Sequence, residues 1–267
     1  MAEVIDIDDP TDPRVDDFRD LSDADRRPDL PGRKGLVIAE GVVVVQRMLD
    51  SRFTPNALLG VGKRFETLAD DLADRDLPYY RASAEVMAEV VGFHLNRGVL
   101  AVAPRPADLT VDEVLDGART VAVLEGVNDH ENLGSMFRNA AGLGADAVLF
   151  GDRCADPLYR RAVRVSMGHV LRVPFAQLPQ WPEGLDLVRN KGFQIIALTP
   201  NPEAVNLATA MTGERVALLL GAEGPGLTEE AMRATDIRAR IPMSPGTDSL
   251  NVATAAAMAF YERVRKS

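Results

Sequence analysis

Asn132 and Arg138 lie six residues apart in NDHENLGSMFRNAAGLGA (128–145), Glu223 sits in the glycine-rich GAEGPGL (221–227), and Ser249 and Asn251 end PMSPGTDSLN (242–251). An amide offers two donors and an acceptor, a carboxylate accepts, and a guanidinium only donates. Brought together, such groups can orient a hydroxyl and stabilise charge that builds on its oxygen. Each stretch also has a plainer reading on its own: an N-cap asparagine with an arginine paired to a carboxylate, a tight turn, and a serine capping the helix VATAAAMAFYE. Three glycines within six residues let backbone approach a ligand closely. GAEGPGL is not a P-loop, because no Lys-Ser/Thr pair follows. GLGADA (142–147) closes a helix before a strand, which is a C-cap and not a dinucleotide fingerprint.

DPLYRRAVRVSMGH (156–169) gathers Arg160, Arg161 and Arg164, with 160 and 164 on one helical face. Without an intervening acid these guanidiniums repel one another unless an anion is near, which suits phosphate contact; a solvated helix face is the simpler alternative. His94, His130 and His169 lack metal-ligand spacing, and no metal is expected. The single Cys154 has no partner for a disulfide or a CxxC site and reads as a structural thiol.

The elements that must hold these groups fall into two patterns. From residue 120 onward, apolar strands (TVAVLE, DAVLF, VLRVPF, FQIIALT, RVALLLG, IRARIPM) alternate with helices, which predicts a mainly parallel sheet covered on both faces. Ligands of such sheets sit beyond the carboxyl ends of the strands, here LTPNP (198–202), GAEGPG and PMSPGTDSLN. Ahead of it, the spacing predicts a helix over 32–51, a strand at ALLGV (57–61), a helix near 63–74, a strand at PYYRA (78–82), a helix capped by Ser83 and a strand at GVLAVA (98–103). PRPADLTVDEVLDGAR (104–119), with two prolines and a short acidic helix, reads as a linker.

The 267 residues, 46% hydrophobic and 26% charged, can bury a sizeable core and are long enough for about two domains. No run approaches the roughly 18 to 20 apolar residues of a membrane span, and the acidic start lacks the layout of a signal peptide, so the expected location is the cytoplasm. A net charge of −10 argues at first sight against a nucleic-acid partner. Residues 1–30, however, hold ten Asp and one Glu against four Arg, a balance of −7 that leaves only −3 for the rest. That segment reads as a disordered, solvated arm.

Taken together and in order, the Asn132-to-Arg138 stretch, GAEGPGL and IPMSPGTDSLNVATAAAMAFYE resemble the three motifs of the SpoU/TrmH family of RNA ribose 2′-O-methyltransferases, within the SPOUT superfamily. The Ser244-Pro245 pair before Gly246 departs from that pattern. The resemblance implies an α/β fold: a SPOUT-type knotted, mainly parallel sheet with flanking helices over 120–267, preceded by a small α/β RNA-binding domain over 31–103, with 1–30 as the acidic tail and 104–119 as the linker. It implies a homodimer and S-adenosylmethionine as methyl donor, held by Gly221, Ile241 and Leu250, with Leu198, Thr199, Met243 and Val252 as further contacts. Asn132, Arg138, Glu223, Ser249 and Asn251 become the catalytic and substrate group, and Arg160, Arg161 and Arg164 the RNA contacts. The implied reaction is an in-line methyl transfer to a ribose 2′-hydroxyl, with ribosomal RNA favoured over transfer RNA. Because a guanidinium donates only, Arg138 is expected to clamp phosphate or a developing alkoxide. The alternative is a non-catalytic RNA-binding protein that retains the fold. A nicotinamide enzyme is disfavoured, because the glycine fingerprint and its acidic residue are missing.

Overall fold

The computed structural model describes residues 2–21 and 34–266. In chain order its strands are β1 (Glu3–Ile7), β2 (Leu36–Glu40), β3 (Ala57–Gly60), β4 (Pro78–Ala82), β5 (Val99–Pro104), β6 (Thr120–Glu125), β7 (Ala147–Phe150), β8 (Phe175–Gln177), β9 (Phe193–Leu198), β10 (Val205–Asn206), β11 (Arg215–Gly221) and β12 (Ile237–Arg240). Its α-helices are α1 (Val42–Leu49), α2 (Gly62–Thr67), α3 (Ala69–Leu72), α4 (Ala84–Val91), α5 (Val111–Leu115), α6 (His130–Gly142), α7 (Arg160–Val165), α8 (Leu185–Asn190), α9 (Leu207–Ala210), α10 (Glu229–Arg233) and α11 (Val252–Lys266). The chain divides into two compact units, one made of residues 1–107 with 157–172, the other of 108–156 with 173–267.

The first unit is built on a five-stranded mixed sheet in the order β1-β4-β3-β5-β2. Its core joins Ile38, Leu59, Leu100 and Val102 from the strands to Met87, Val90 and Val91 of α4. The predicted helix over 32–51 is a strand followed by a helix. Leu36–Glu40 is buried throughout and pairs antiparallel with β5, and Gly41, at φ +92°, makes the break that lets α1 begin. Tertiary pairing here outweighs the length of the apolar run.

The acidic arm expected over 1–30 does not hold for residues 2–21. β1 pairs in parallel with β4, and Ile7, Val15, Phe18 and Leu21 are buried in the unit's core. Those four side chains supply the burial that the charge count concealed. Many of the acids are satisfied close by: Asp12 by Arg14, Asp16 by Arg19, Asp17 by Lys34 and Asp6 by Arg81. Residues 22–30 lie outside the described residues. The segment 157–172, expected with the downstream sheet, packs in this unit, where α7 lies on β2. The expected linker over 104–119 is also folded. Pro104 ends β5, while Thr110 opens α5 with a capping box that sends Val114 and Leu115 into the second unit's core.

The second unit is a seven-stranded sheet in the order β10-β12-β9-β11-β6-β7-β8, in which every pairing is parallel. Alternate residues of the strands face opposite sides, which explains the unbroken apolar runs. Val121, Val123, Ala217 and Leu219 join Leu115, Leu185, Val188 and Ala231 of α5, α8 and α10 on one face. On the other, Phe137 of α6 stacks edge-on against Phe175 at 5.7 Å and lies 6.2 Å from Phe150. The strand expected over 170–175 is shorter and later: Val170 and Leu171 belong to a 3-10 turn, and β8 covers only Phe175–Gln177. Among the described residues no helix is long and apolar enough to cross a membrane.

Candidate active site

The chain runs from β6 through β7 to β8 at one edge, then returns to β9 on the far side of β11, so the sheet has a switch in strand order near its middle. Crevices form at the carboxyl ends around such a switch. Here the exits of β9, β11 and β12 line one cavity of about 430 Å³, within the range of small-molecule sites. Leu198 and Thr199 come from the β9 exit, Gly221 and Glu223 from the β11 exit, Ile241 and Met243 from the β12 exit, and Ser249, Leu250, Asn251 and Val252 from the junction with α11. All seven residues expected to hold the methyl donor are on this wall. Pro200, Leu220, Ala222, Gly224, Gly226 and Ala255 complete it.

The β11 turn keeps its shape through glycine. Gly226 N–H donates to Ala222 O at 3.0 Å, and Gly224 and Gly226 take φ of +84° and +70°, which side-chain-bearing residues seldom adopt. A Cβ at Gly221 would stand 2.4 Å from both Gly226 C and Leu227 N, so only glycine lets the two arms of the turn close. The far end is held by Glu125, the last residue of β6, which is only 1% exposed. Its carboxylate accepts from Trp181 Nε1 (2.7 Å), Thr228 N (2.9 Å) and Thr228 Oγ1 (2.8 Å). Thr228 Oγ1 in turn caps α10 by accepting from Ala231 N at 3.2 Å. Sequence reasoning missed Glu125. The signal was an acid ending an otherwise apolar strand, where a buried carboxylate needs dedicated donors.

Helix entry places the polar groups. Asp129, not Asn132, caps α6, its Oδ1 accepting from Glu131 N (2.9 Å) and Asn132 N (2.8 Å). Asn251, not Ser249, caps α11, with its Oδ1 accepting from Thr254 N at 3.1 Å. Its Oδ1 committed to the helix, Asn251 directs Nδ2 the other way, donating to Asn132 Oδ1 at 2.7 Å and Glu223 Oε1 at 2.6 Å. Residues 119 and 28 positions away in the chain are thereby joined on one amide. Asn132 Nδ2 and Glu223 Oε2 have no partner among the described residues, which leaves an amide nitrogen able to donate and a carboxylate oxygen able to accept in the same cluster. Ser249 is exposed on the same cavity.

Arg138 is not brought into this group. Six residues along an α-helix turn through roughly 240° beyond one full turn, so Arg138 leaves α6 on a different face from Asn132. It is exposed and has no ion pair among the described residues. By contrast, Asn139 shares the Asn132 face and donates to Ala253 O at 2.9 Å, which fastens α6 to α11.

The three arginines lie in the first unit. Arg160 is not a free cation: Nη1 is 3.1 Å from Glu40 Oε2, and the guanidinium lies 4.8 Å from the Phe93 ring centre. The missing acid was distant in sequence. Arg164 is half-buried with no ion pair among the described residues, and Arg161 is exposed. Burial pushes the Cys154 thiol up, and its Sγ donates to Leu124 O at 3.3 Å, as expected of a structural thiol. No group of His, Cys, Asp and Glu suited to a metal occurs among the described residues.

A model of the SpoU rRNA Methylase family matches residues 119–261. An uncharacterized tRNA/rRNA methyltransferase of Mycobacterium tuberculosis is 66% identical over 98% of this chain and 92% of its own length. A 23S rRNA (guanosine-2′-O-)-methyltransferase of Burkholderia is 31% identical over 69% of this chain and 76% of its own. The crystal structure of an AdoMet-bound rRNA methyltransferase from Sinorhizobium meliloti superposes with a TM-score of 0.80 at 26% identity, covering 98% of both chains. The matched residues contain the whole cavity wall and the Asn132–Asn251–Glu223 cluster beside it, and the chain belongs to the SpoU rRNA methylase family.

Proposed function

We propose that the protein transfers a methyl group from S-adenosylmethionine to a ribose 2′-hydroxyl of structured RNA, with ribosomal RNA the favoured substrate. The observation that carries this reading is the Asn251 amide bonded to both Asn132 and Glu223 on the rim of the 430 Å³ cavity. The wall suits the donor: Leu198, Ile241, Leu250 and Val252 offer apolar surface for a flat heterocycle, and the open space above Gly224 and Gly226 exposes backbone groups to its polar parts. When bound, S-adenosylmethionine supplies an electrophilic methyl on a sulfonium. Thr199, Gly221 and Met243 complete its contacts. The 2′-O specificity and the rRNA preference draw support from the Burkholderia relative's described activity.

The chain's own work is positioning. The free Glu223 Oε2 can accept from a ribose hydroxyl and the free Asn132 Nδ2 can donate to its oxygen, while Asn251 fixes the distance between them. Ser249 adds a hydroxyl on the same rim. Holding reactants so can lower a barrier by roughly 7–11 kcal/mol in favourable cases. Arg138 acts from a second copy of the chain, steadying phosphate or the developing oxyanion. Its unpartnered exposure and the exposed stripe of Met258, Tyr261 and Val264 on α11 support a homodimer. Arg161 and Arg164 contribute RNA phosphate contacts.

Ribose-methylation mapping of total RNA from cells with and without the gene tests the reading. One ribosomal 2′-O mark should vanish and return with the wild-type gene. Unchanged ribose methylation, or the loss of a base methyl instead, overturns it. Calorimetric titration with S-adenosylmethionine separates the enzyme from a binding protein, which would give no heat.

A further inference from the structure

At one end of the first unit's sheet the carboxyl ends of β1, β4, β3 and β2 meet the amino end of β5. Arginines follow one another along this end in strand order. Arg81 is the penultimate residue of β4, and a side chain at Gly62 would touch its Cδ at 3.5 Å. Arg64 lies over Gly98, within 3.4 Å of where a Cβ there would stand. Arg97 lies over Gly41, whose Cβ would clash with its Cδ at 2.8 Å. Arg160 follows at Glu40. Gly41 and Gly98, at φ +92° and +68°, keep these places clear of side chains, so the guanidinium stems rest on bare backbone.

The two ends of the row are neutralised. Arg81 makes a two-point pair with Asp6 (2.5 and 2.7 Å), and Arg160 pairs with Glu40. The middle pair, Arg64 and Arg97, has no ion pair among the described residues and is half-buried at neighbouring strand ends. Adjacent like charges on a rigid ledge, in a chain of net charge −10 with carboxylates to spare, mark a place kept open for an outside anion. From β4 to β2 the row spans three strand spacings, about 14 Å at ~4.8 Å each, which suits an extended polyanion better than one phosphate. We propose that Arg64 and Arg97 form a phosphate-docking ledge for the backbone of the RNA substrate; this rests on the RNA-methyltransferase reading above.

The test measures binding of the full chain to a fluorescein-labelled ribosomal-RNA stem-loop by anisotropy across a salt series. The Arg64→Gln/Arg97→Gln variant should bind about tenfold more weakly at physiological salt, with the slope of log K against log salt reduced by about 1 to 2, as expected for two lost phosphate contacts. Its circular dichroism spectrum and thermal melt should match the wild type, which excludes a folding defect in the first unit, and its calorimetric titration with S-adenosylmethionine should be unchanged because the cavity lies in the second. Arg64→Lys/Arg97→Lys keeps both charges and should keep the slope. A Gln variant with wild-type affinity and slope overturns the ledge while leaving the methyltransferase reading intact. A wild-type chain that binds the donor but no RNA at any salt overturns both.

Discussion

Asn251 is where the site is most open to test, because one side chain serves the helix with its oxygen and the cluster with its nitrogen. Asn251→Ala removes both and should cost about 1 kcal/mol for the lost cap. Asn251→Asp keeps the cap but turns a carboxylate oxygen toward Glu223. Thermal melts should therefore place Asp near wild type and Ala below it, while methylation is crippled in both. Two facing carboxylates raise each other's proton affinity, so the Asp variant alone should regain activity as pH falls and one of them protonates. An Asp variant with wild-type turnover at neutral pH would show that the Nδ2 hydrogen bonds are dispensable. Each of these residues had a plainer reading on its own, and what singled them out in the sequence was the resemblance of three motifs taken together and in order. Their bonding was not legible there. The amide's two partners are far away in the chain, and helix-capping preference alone assigned the caps to Asn132 and Ser249 when Asp129 and Asn251 hold them.

Among the elements, the β11 turn depends on both its ends. Gly221→Ala places a methyl 2.4 Å from backbone on the opposite arm, and backbone cannot rotate away. Such overpacking costs roughly 1–3 kcal/mol. The arm that yields carries Glu223 and part of the cavity wall, so S-adenosylmethionine affinity should fall along with the denaturant midpoint; a calorimetric titration that matches wild type would refute this. At the other end, Glu125→Ala leaves Trp181 Nε1 and Thr228 N without their acceptor in a buried place, at about 1–3 kcal/mol for each unsatisfied donor. Trp181 is the only tryptophan, so its fluorescence should shift to the red as water enters. The strands of this unit were easy to read, since burial on both faces makes them apolar throughout. In the first unit the reading of 32–51 as one helix rested on its length and on the placement of Glu40, Gln46 and Arg47, and only pairing with β5 and the turn at Gly41 divide it.

For the molecule as a whole, charge is arranged and not merely abundant. Arg14 holds the Asp12 carboxyl down at about 2, and Arg81 and Thr11 lower those of Asp6 and Asp9. A depressed carboxyl stabilises the fold above its unfolded value near 3.8, and that contribution disappears as pH falls through the folded one. Acid should therefore loosen the β1 segment between about pH 4 and 2, and high salt should blunt the effect because these groups lie at the surface. Hydrogen exchange of the Val4 and Ile5 amides measures it; protection unchanged down to pH 2 would contradict the assignment. The same arrangement explains why the acidic start was read as a solvated arm, since counting charges ignored the apolar residues set between them. Chain path matters too. The polypeptide leaves the second unit at 156, contributes 157–172 to the first, and returns at 173. Natural or laboratory recombination at residue 107 would thus separate Arg160 from Glu40 and Phe93 and strand a piece of one module inside another. Relatives can exchange this front module only by a double crossover that moves residues 157–172 with it, so it is inherited as a discontinuous block.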